Sequence, residues 1–243
     1  MLIERLNRWI NAPKRRFRKY LIVDYCIHWV NKTNYFLGLS TKHSVCQFDY
    51  YKCLFIHIPK SGGISVLHSL FKNKGNGHYP LKWYKDAYPK QRLNSFYTFT
   101  FVRNPWARLY SAYIFLKKGG LNNNDRDFFE RELSNYKNFE DFVYKWLTPQ
   151  NIYKYVHFVP QFEYLVNENG ELAIDFIGRT ENIEEDFAKI ITKIAPEKSM
   201  PLSKLNQSTK HTTSYQKEYT PKMIEIVASV YARDIKLFNY TFA

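Results

Sequence analysis

From Lys52 onward, apolar and polar positions alternate between two rhythms. Cys53 to Ile58 is a short unbroken apolar run, the length of a buried strand. Pro59 to Gly63 reads as a turn, and Ile64, Leu67, Leu70 and Phe71 then recur at helical spacing. The same order returns at Tyr97 to Val102, a β-rich run, followed by Arg103-Asn104-Pro105 and a helix from Trp106 to about Lys117. Proline in a first helical turn is a start signal, because the N–H it lacks would have no intrahelical partner there. Phe139, Phe142, Val143, Trp146 and Leu147 mark another amphipathic helix, and Leu172 to Ile177 another buried strand. A helix over Asn182 to Ile194 follows, in which Asn182 and Glu185 have cap-and-N3 spacing. Thr220-Pro221 opens a last helix, running to about Lys236. Strands alternating with helices predict an α/β fold: a three-layer sandwich with a central parallel sheet flanked by helices, whose ligands bind at the carboxyl ends of the strands.

Residues 1–50 form a basic N-terminal segment distinct from a domain over residues 51–243. Leu2, Ile3, Leu6, Trp9 and Ile10 fall on one helical face, followed by Lys14, Arg15, Arg16, Arg18 and Lys19. Such a start is either a helix packed on the domain with a solvated basic end, or an amphipathic element lying on an anionic membrane or glycan through residues 1–20. The apolar run Tyr20 to Val30, interrupted by Asp24 and His28, is about half the ~20 residues that a membrane-spanning helix needs. It is not a secretory signal either.

Composition sharpens the picture. Of the 243 residues 45% are hydrophobic, enough for a packed core, and 18% are aromatic, so large rigid side chains are expected to fill much of it. Lys and Arg number 36 against 22 Asp and Glu, a net charge of +14. That surplus argues for an anionic partner: a nucleotide, a polyanionic glycan, nucleic acid or a membrane surface. Cys26, Cys46 and Cys53 are odd in number, with no CxxC and no Cys/His pair at zinc spacing. Neither a disulfide framework nor a structural metal is expected, and a reducing, cytoplasmic compartment fits, with a peripheral place at the inner membrane if residues 1–20 bind it.

Chemistry concentrates after the first two strands. In His57-Ile58-Pro59-Lys60-Ser61-Gly62-Gly63-Ile64-Ser65, two glycines between strand and helix let backbone N–H groups close around an anion at the positive end of the helix, with Lys60 adding a mobile charge. The lysine precedes the glycines, so the GxxxxGK[ST] spacing of an ATP-binding loop is absent. Taken alone, Gly-Gly after a strand is more often just a tight turn. Arg103 ends the second strand, and Ser111, eight residues on, can return toward it from the helix. One guanidinium and one hydroxyl can grip a second phosphate. Arg108 reads instead as a surface or packing residue.

Together these two segments resemble sulfotransferases that use 3′-phosphoadenosine 5′-phosphosulfate (PAPS) and release 3′-phosphoadenosine 5′-phosphate (PAP), and more narrowly the carbohydrate sulfotransferases of the Golgi and their bacterial relatives. The resemblance runs from Lys52 to Tyr240 and implies a P-loop-like fold. It assigns Lys60, Ser61, Gly62, Gly63 and Ser65 to the 5′-phosphosulfate, and Arg103 and Ser111 to the 3′-phosphate. At Ile64 the family usually has a hydroxyl residue; here only its backbone N–H can serve. In the Gly178-Arg179-Thr180-Glu181 stretch, Arg179 is implied as a nucleotide contact, against a structural ion pair with Glu181 or Glu184. Ser203 to Tyr215 resembles the loop that closes over the nucleotide, with Lys210 as a phosphate ligand.

Sulfuryl transfer needs positioning, charge stabilisation and a base, and no metal. His78, in Gly77-His78-Tyr79, lies where glycan 2-O-sulfotransferases carry a catalytic Gly-His pair, and histidine titrates near neutral pH. His157, followed by Pro160-Gln161, matches a pattern in many relatives and is implied to orient the acceptor, support the site or serve as base itself. His57 lies in the expected strand and reads as a packing residue, whereas Glu163 and Asp86 are alternative carboxylate bases. The leading expectation is therefore an enzyme transferring sulfate from PAPS to a carbohydrate hydroxyl, on an acidic cell-surface or capsular glycan or its precursor, with no nucleic-acid partner. Two other classes compete: a non-catalytic polyanion binder, which basic charge alone supports, and a nucleotide kinase with a degenerate phosphate loop, for which no acidic metal-binding partner is identifiable.

Overall fold

A computed structural model describes residues 44–72, 77–88, 90–198, 200–203 and 215–242. In chain order the main elements are α1 (Ser44–Tyr51), β1 (Cys53–Ile56), α2 (Gly63–Phe71), α3 (Leu81–Ala87), α4 (Lys90–Leu93), β2 (Tyr97–Val102), α5 (Pro105–Lys117), α6 (Asn123–Glu132), α7 (Phe139–Lys145), β3 (Phe176–Arg179), α8 (Ile183–Ile194), α9 (Pro221–Val230) and α10 (Ala232–Phe238). The three strands form a parallel sheet in the order β1-β2-β3, flanked by helices, as the alternation of patterns predicts. Ile56 lies opposite Thr100, and Val102 opposite Arg179. Parallel neighbours require crossovers, so both loops that leave β1 and β2 for helices open at the same edge of the sheet.

Every residue of β1 is buried, and the rings of Phe55 and Phe99 stack across β1 and β2 with centroids 5.1 Å apart. Thr100 satisfies its buried hydroxyl by donating to the Ile56 carbonyl at 2.8 Å. One apolar cluster surrounds the sheet and includes Phe48, Val66, Trp83, Tyr84 and Ile190. A second joins α5, α6, α7 and α9 through Tyr113, Phe128, Phe142, Trp146 and Met223. Aromatic rings pack in both, with Phe142 stacked on Trp146 at 5.2 Å and Phe48 edge-on to Phe71 at the same separation. No helix among the described residues is long and apolar enough to cross a membrane. The basic stretch within residues 1–43 and Lys210 lie outside the described residues.

Four local expectations need correction. The first strand stops at Ile56 rather than Ile58, because the His57, Pro59 and Lys60 carbonyls turn to accept hydrogen bonds from distant side chains. The third strand is Phe176–Arg179 rather than 172–177. Leu172 instead pairs with Val166 in an isolated antiparallel bridge, and the Asp175 carboxylate takes both the Thr98 N–H and its hydroxyl at 2.7 Å, setting where the chain joins the sheet. Asn182 makes no side-chain cap; Asp186, in the first turn of α8, accepts the Arg179 N–H at 2.8 Å instead. The last helix, capped by Thr220, breaks at Tyr231, whose hydroxyl donates to the Phe158 carbonyl at 2.8 Å.

Candidate active site

The loop between β1 and α2 is held from outside at successive residues. His78 Nδ1 lies 3.0 Å from the His57 carbonyl. Arg108 Nε donates to the Pro59 carbonyl at 2.9 Å, and an Arg103 guanidinium nitrogen to the Lys60 carbonyl at 3.3 Å. The Ser61 hydroxyl donates to Gln161 Oε1 at 3.4 Å. Lys60 sits at φ 67°, a left-handed conformation that costs a residue with a Cβ about 1–3 kcal/mol and persists only where the surroundings impose it. Gly62, at φ 75°, is the N-cap of α2.

Both glycines are required by close approach. A Cβ on Gly62 would stand 2.6 Å from Ile183 Cδ1, and one on Gly63 would stand 2.1 Å from the His57 ring. The loop is thereby pressed between α8 and His57, with Ile64 and the buried Ser65 in the first turn of α2. With the carbonyls and the Ser61 hydroxyl tied down, no hydrogen bond of ordinary geometry among the described residues takes up the N–H groups of Lys60, Ser61, Gly62, Gly63 and Ile64. Donors gathered at a helix N-terminus form an anion site.

Cations surround this loop. The Lys60 ammonium lies over the Phe115 ring, 3.9 Å from its centroid, and burial with the charges of Arg103 and Arg108 brings its pKa down from 10.5 to about 8, against the pull of Asp125. Burial also lowers Arg103, with Glu181 opposing. Arg108 is 2% exposed, so it is no surface residue; it packs beneath the loop with one terminal guanidinium nitrogen that has no partner among the described residues. Positions 108, 111 and 115 share one face of α5. Since Arg108 reaches Pro59 and Phe115 reaches Lys60, the partly buried Ser111 lies on the helix face that meets the loop.

Three histidines complete the group. The His57 and His78 rings are 4.4 Å apart, and His78 and His157 5.9 Å apart, so the structure brings both expected histidines to the Lys60 loop. His57 lies past the end of β1 rather than in it, yet it is buried, stacks on Phe55 and is brought down to about 3 by burial and then by His157 and Lys60. Burial, then His57 and His157, hold His78 well below its ordinary value; burial also lowers His157, although Asp125 pulls the other way. Burial thus favours the neutral imidazole at all three. The alternative carboxylates stand differently: Asp86 is exposed on α3, and Glu163 accepts from the Tyr153 hydroxyl at 2.6 Å. Arg179 donates to the Phe238 carbonyl at 2.6 Å and lies over the Tyr240 ring, without either carboxylate partner that its sequence suggested.

Several residues of the site escape sequence reasoning. Gln161, fully buried, accepts the Arg103 N–H and donates to the Arg103 carbonyl, both at 2.8 Å, while also receiving Ser61. Asp234, from α10, holds Gln161 in turn by accepting its N–H and that of Phe162. Glu181 accepts the Asn104 N–H at 2.8 Å and the Tyr240 hydroxyl at 3.0 Å. Asp125 accepts from His157, Tyr155 and the Leu121 N–H. The His157 to Gln161 pattern was the available signal for Gln161 and the Gly178-Arg179-Thr180-Glu181 stretch that for Glu181, whereas Asp125 and Asp234 left none.

Comparison with known proteins adds the family. A family model described as "Sulfotransferase family" matches residues 43–241. The chain is also similar to an uncharacterized protein of Archaeoglobus fulgidus, 34% identical over 106 residues, which are 43% of this chain and 72% of that one. No solved structure matches the chain.

Proposed function

Because the chain belongs to the sulfotransferase family, we propose that it moves a sulfuryl group from PAPS to a hydroxyl of a carbohydrate, releasing PAP, by in-line transfer with a histidine base. One observation carries this reading: among the described residues the N–H groups of Lys60 to Ile64 meet no acceptor at ordinary hydrogen-bond geometry at the start of α2, and no carboxylate neutralises the neighbouring cations at ion-pair distance. That donor set fits a ligand bearing separate anionic groups. Lys60, Ser61, Gly62, Gly63, Ser65 and the Ile64 N–H would hold the 5′-phosphosulfate, and Arg103 with Ser111 the 3′-phosphate. Arg179 and Lys210 remain part of the proposal as further nucleotide contacts.

When bound, PAPS supplies an SO₃ group that passes through a loose transition state, in which positioning and charge stabilisation dominate. Lys60 offers its ammonium to the charge growing on the leaving oxygen. His78 would act as base. Its Nδ1 donates to the His57 carbonyl, which leaves an unprotonated Nε2 to take the hydroxyl proton from the acceptor. His157 supports the acceptor side. The net charge of +14 favours an acidic glycan, and residues 1–20 remain a proposed membrane or glycan contact.

Thermal unfolding with PAP, AMP and Mg-ATP tests this reading. A ligand at a hundred times its dissociation constant adds about 2.7 kcal/mol, or roughly 5–11 °C for a chain of this size. We expect that shift with PAP alone, its loss in Arg103→Ala, and transfer of label from [³⁵S]PAPS to a polysaccharide such as hyaluronan or dextran. An equal shift with Mg-ATP would favour a kinase, and no shift with any nucleotide would favour a polyanion binder.

A further inference from the structure

The geometry around His157 points to Asp125, backed by Tyr155, as a positioning residue for sulfuryl transfer: it fixes His157 as the Nε2–H tautomer and so keeps an acceptor nitrogen, not a second N–H, in the group around Lys60. This inference rests on the proposed sulfotransferase reaction. Asp125 is 3% exposed, in the first turn of α6, and its oxygens are fully engaged. Oδ1 lies 3.3 Å from His157 Nε2 and also accepts the Tyr155 hydroxyl; Oδ2 accepts the Leu121 N–H at 2.9 Å. The chain is built to admit this carboxylate. Asn122 caps its N–H, and a Cβ on Gly120 would stand 2.1 Å from Asp125 Cβ. Tyr155 is fixed by stacking on Phe128 at 4.1 Å.

A carboxylate accepts only, so the nitrogen facing it carries the proton. Burial pushes the Asp125 carboxyl up, and the hydrogen bonds from His157, Tyr155 and Leu121 together outweigh that and hold it ionised. His157 Nδ1 is then a lone pair, buried without a hydrogen-bond partner among the described residues. The Phe115 ring packs edge-on to His157 at 4.9 Å while its face receives Lys60, so the two lie against one side chain. Among the described residues, the titratable and charged groups that act on Lys60 are Arg103, Arg108, His57, His157 and Asp125, of which Asp125 alone is negative. Its loss would leave the cationic group more repulsive, and a carboxamide N–H facing Nε2 would turn the imidazole dipole around.

Long-range ¹H–¹⁵N correlation spectra of the histidine-labelled protein, with His157 assigned from His157→Gln, report the tautomer directly. We expect Nε2–H in the parent at pH 7, a shift toward Nδ1–H in Asp125→Asn, and no change of tautomer in Tyr155→Phe. Turnover of [³⁵S]PAPS, with hyaluronan or water as acceptor, should fall at least about tenfold in Asp125→Asn, while the PAP-induced rise in Tm at pH 7 stays. An Nδ1–H tautomer or a protonated His157 in the parent would overturn the inference. So would an Asp125→Asn protein that keeps both tautomer and turnover. If PAP produces no shift in the parent, the sulfotransferase reading itself fails, and the tautomer still decides what Asp125 does to His157.

Discussion

Replacing Lys60 with methionine should stabilise the free protein while removing its nucleotide affinity. The Lys60 pKa falls from 10.5 to about 8, because burial and the neighbouring Arg103 and Arg108 disfavour the ammonium. At 1.36 kcal/mol per tenfold change, keeping that charge at pH 7 costs about 3 kcal/mol. The Phe115 face returns about 1 kcal/mol. The net gain for Lys60→Met is then about 2 kcal/mol, or roughly 4–8 °C in Tm. Methionine keeps the unbranched stem and inherits the same left-handed backbone, so the comparison isolates the charge. Because the folded-state pKa lies below the unfolded one, the unfolded chain binds more protons between pH 8 and 10.5. The lysine penalty is therefore complete below about pH 8 and fades as pH rises through that window. Guanidinium unfolding of both proteins at pH 7 and pH 10 measures the difference. A Lys60→Met protein no more stable than the parent at pH 7, or a gain that persists undiminished at pH 10, would refute the reasoning.

Nucleotide binding should take up a proton at the same residue. An anion returning Lys60 from about 8 toward 10.5 weakens PAP affinity about tenfold between pH 7 and 9, with uptake near one proton at pH 9. Calorimetry in two buffers of different ionisation enthalpy counts that proton, and an unchanged pH dependence in Lys60→Arg would assign it elsewhere. Gly63→Ala should cost about 1–3 kcal/mol, because its Cβ would overlap the His57 ring 2.1 Å away. Adding His57→Ala should recover more than half of that loss, and strictly additive effects in denaturant unfolding would contradict the clash.

The two loops that define the site were legible because each is a local pattern: an apolar run, a turn with its charged residue, and a helix start. The limits of β2 came out at the residues expected, since alternating aromatics and threonines left one reading. The third strand did not. Leu172 to Ile177 is apolar enough for a strand, and what decides its place is the pairing of Asp175 with Thr98, 77 residues away. The last helix broke for a similar reason, with Tyr231 tied to Phe158 at a separation of 73 residues. Long-range partners likewise explain the missed site residues. Gln161 and Asp234 act on one another across 73 residues, and Asp125 meets His157 across 32. A polar residue with no local partner in the sequence reads as a solvated surface; only the fold turns it into a clamp.

These clamps also account for the uncompensated charge of the site. The carboxylates near the loop are committed to other donors than its cations: buried Asp234 to the Gln161 and Phe162 N–H groups, exposed Glu181 to the Asn104 N–H and the Tyr240 hydroxyl, and buried Asp125 to the Leu121 N–H, Tyr155 and His157. Those contacts fix the ends of β2 and α6 and the neighbouring 3-10 turn at Gln161–Tyr164. Arg103 and Arg108 have their carbonyl contacts and Lys60 the Phe115 ring, but none of the three has a carboxylate at ion-pair distance among the described residues. Direct pairing would have neutralised them at the expense of the ligand, since an anion would then have to displace a buried carboxylate. Spending the carboxylates on the scaffold separates the two tasks. The backbone that must hold Lys60 at positive φ is over-determined, and the cations it presents stay available to a ligand with more than one anionic group.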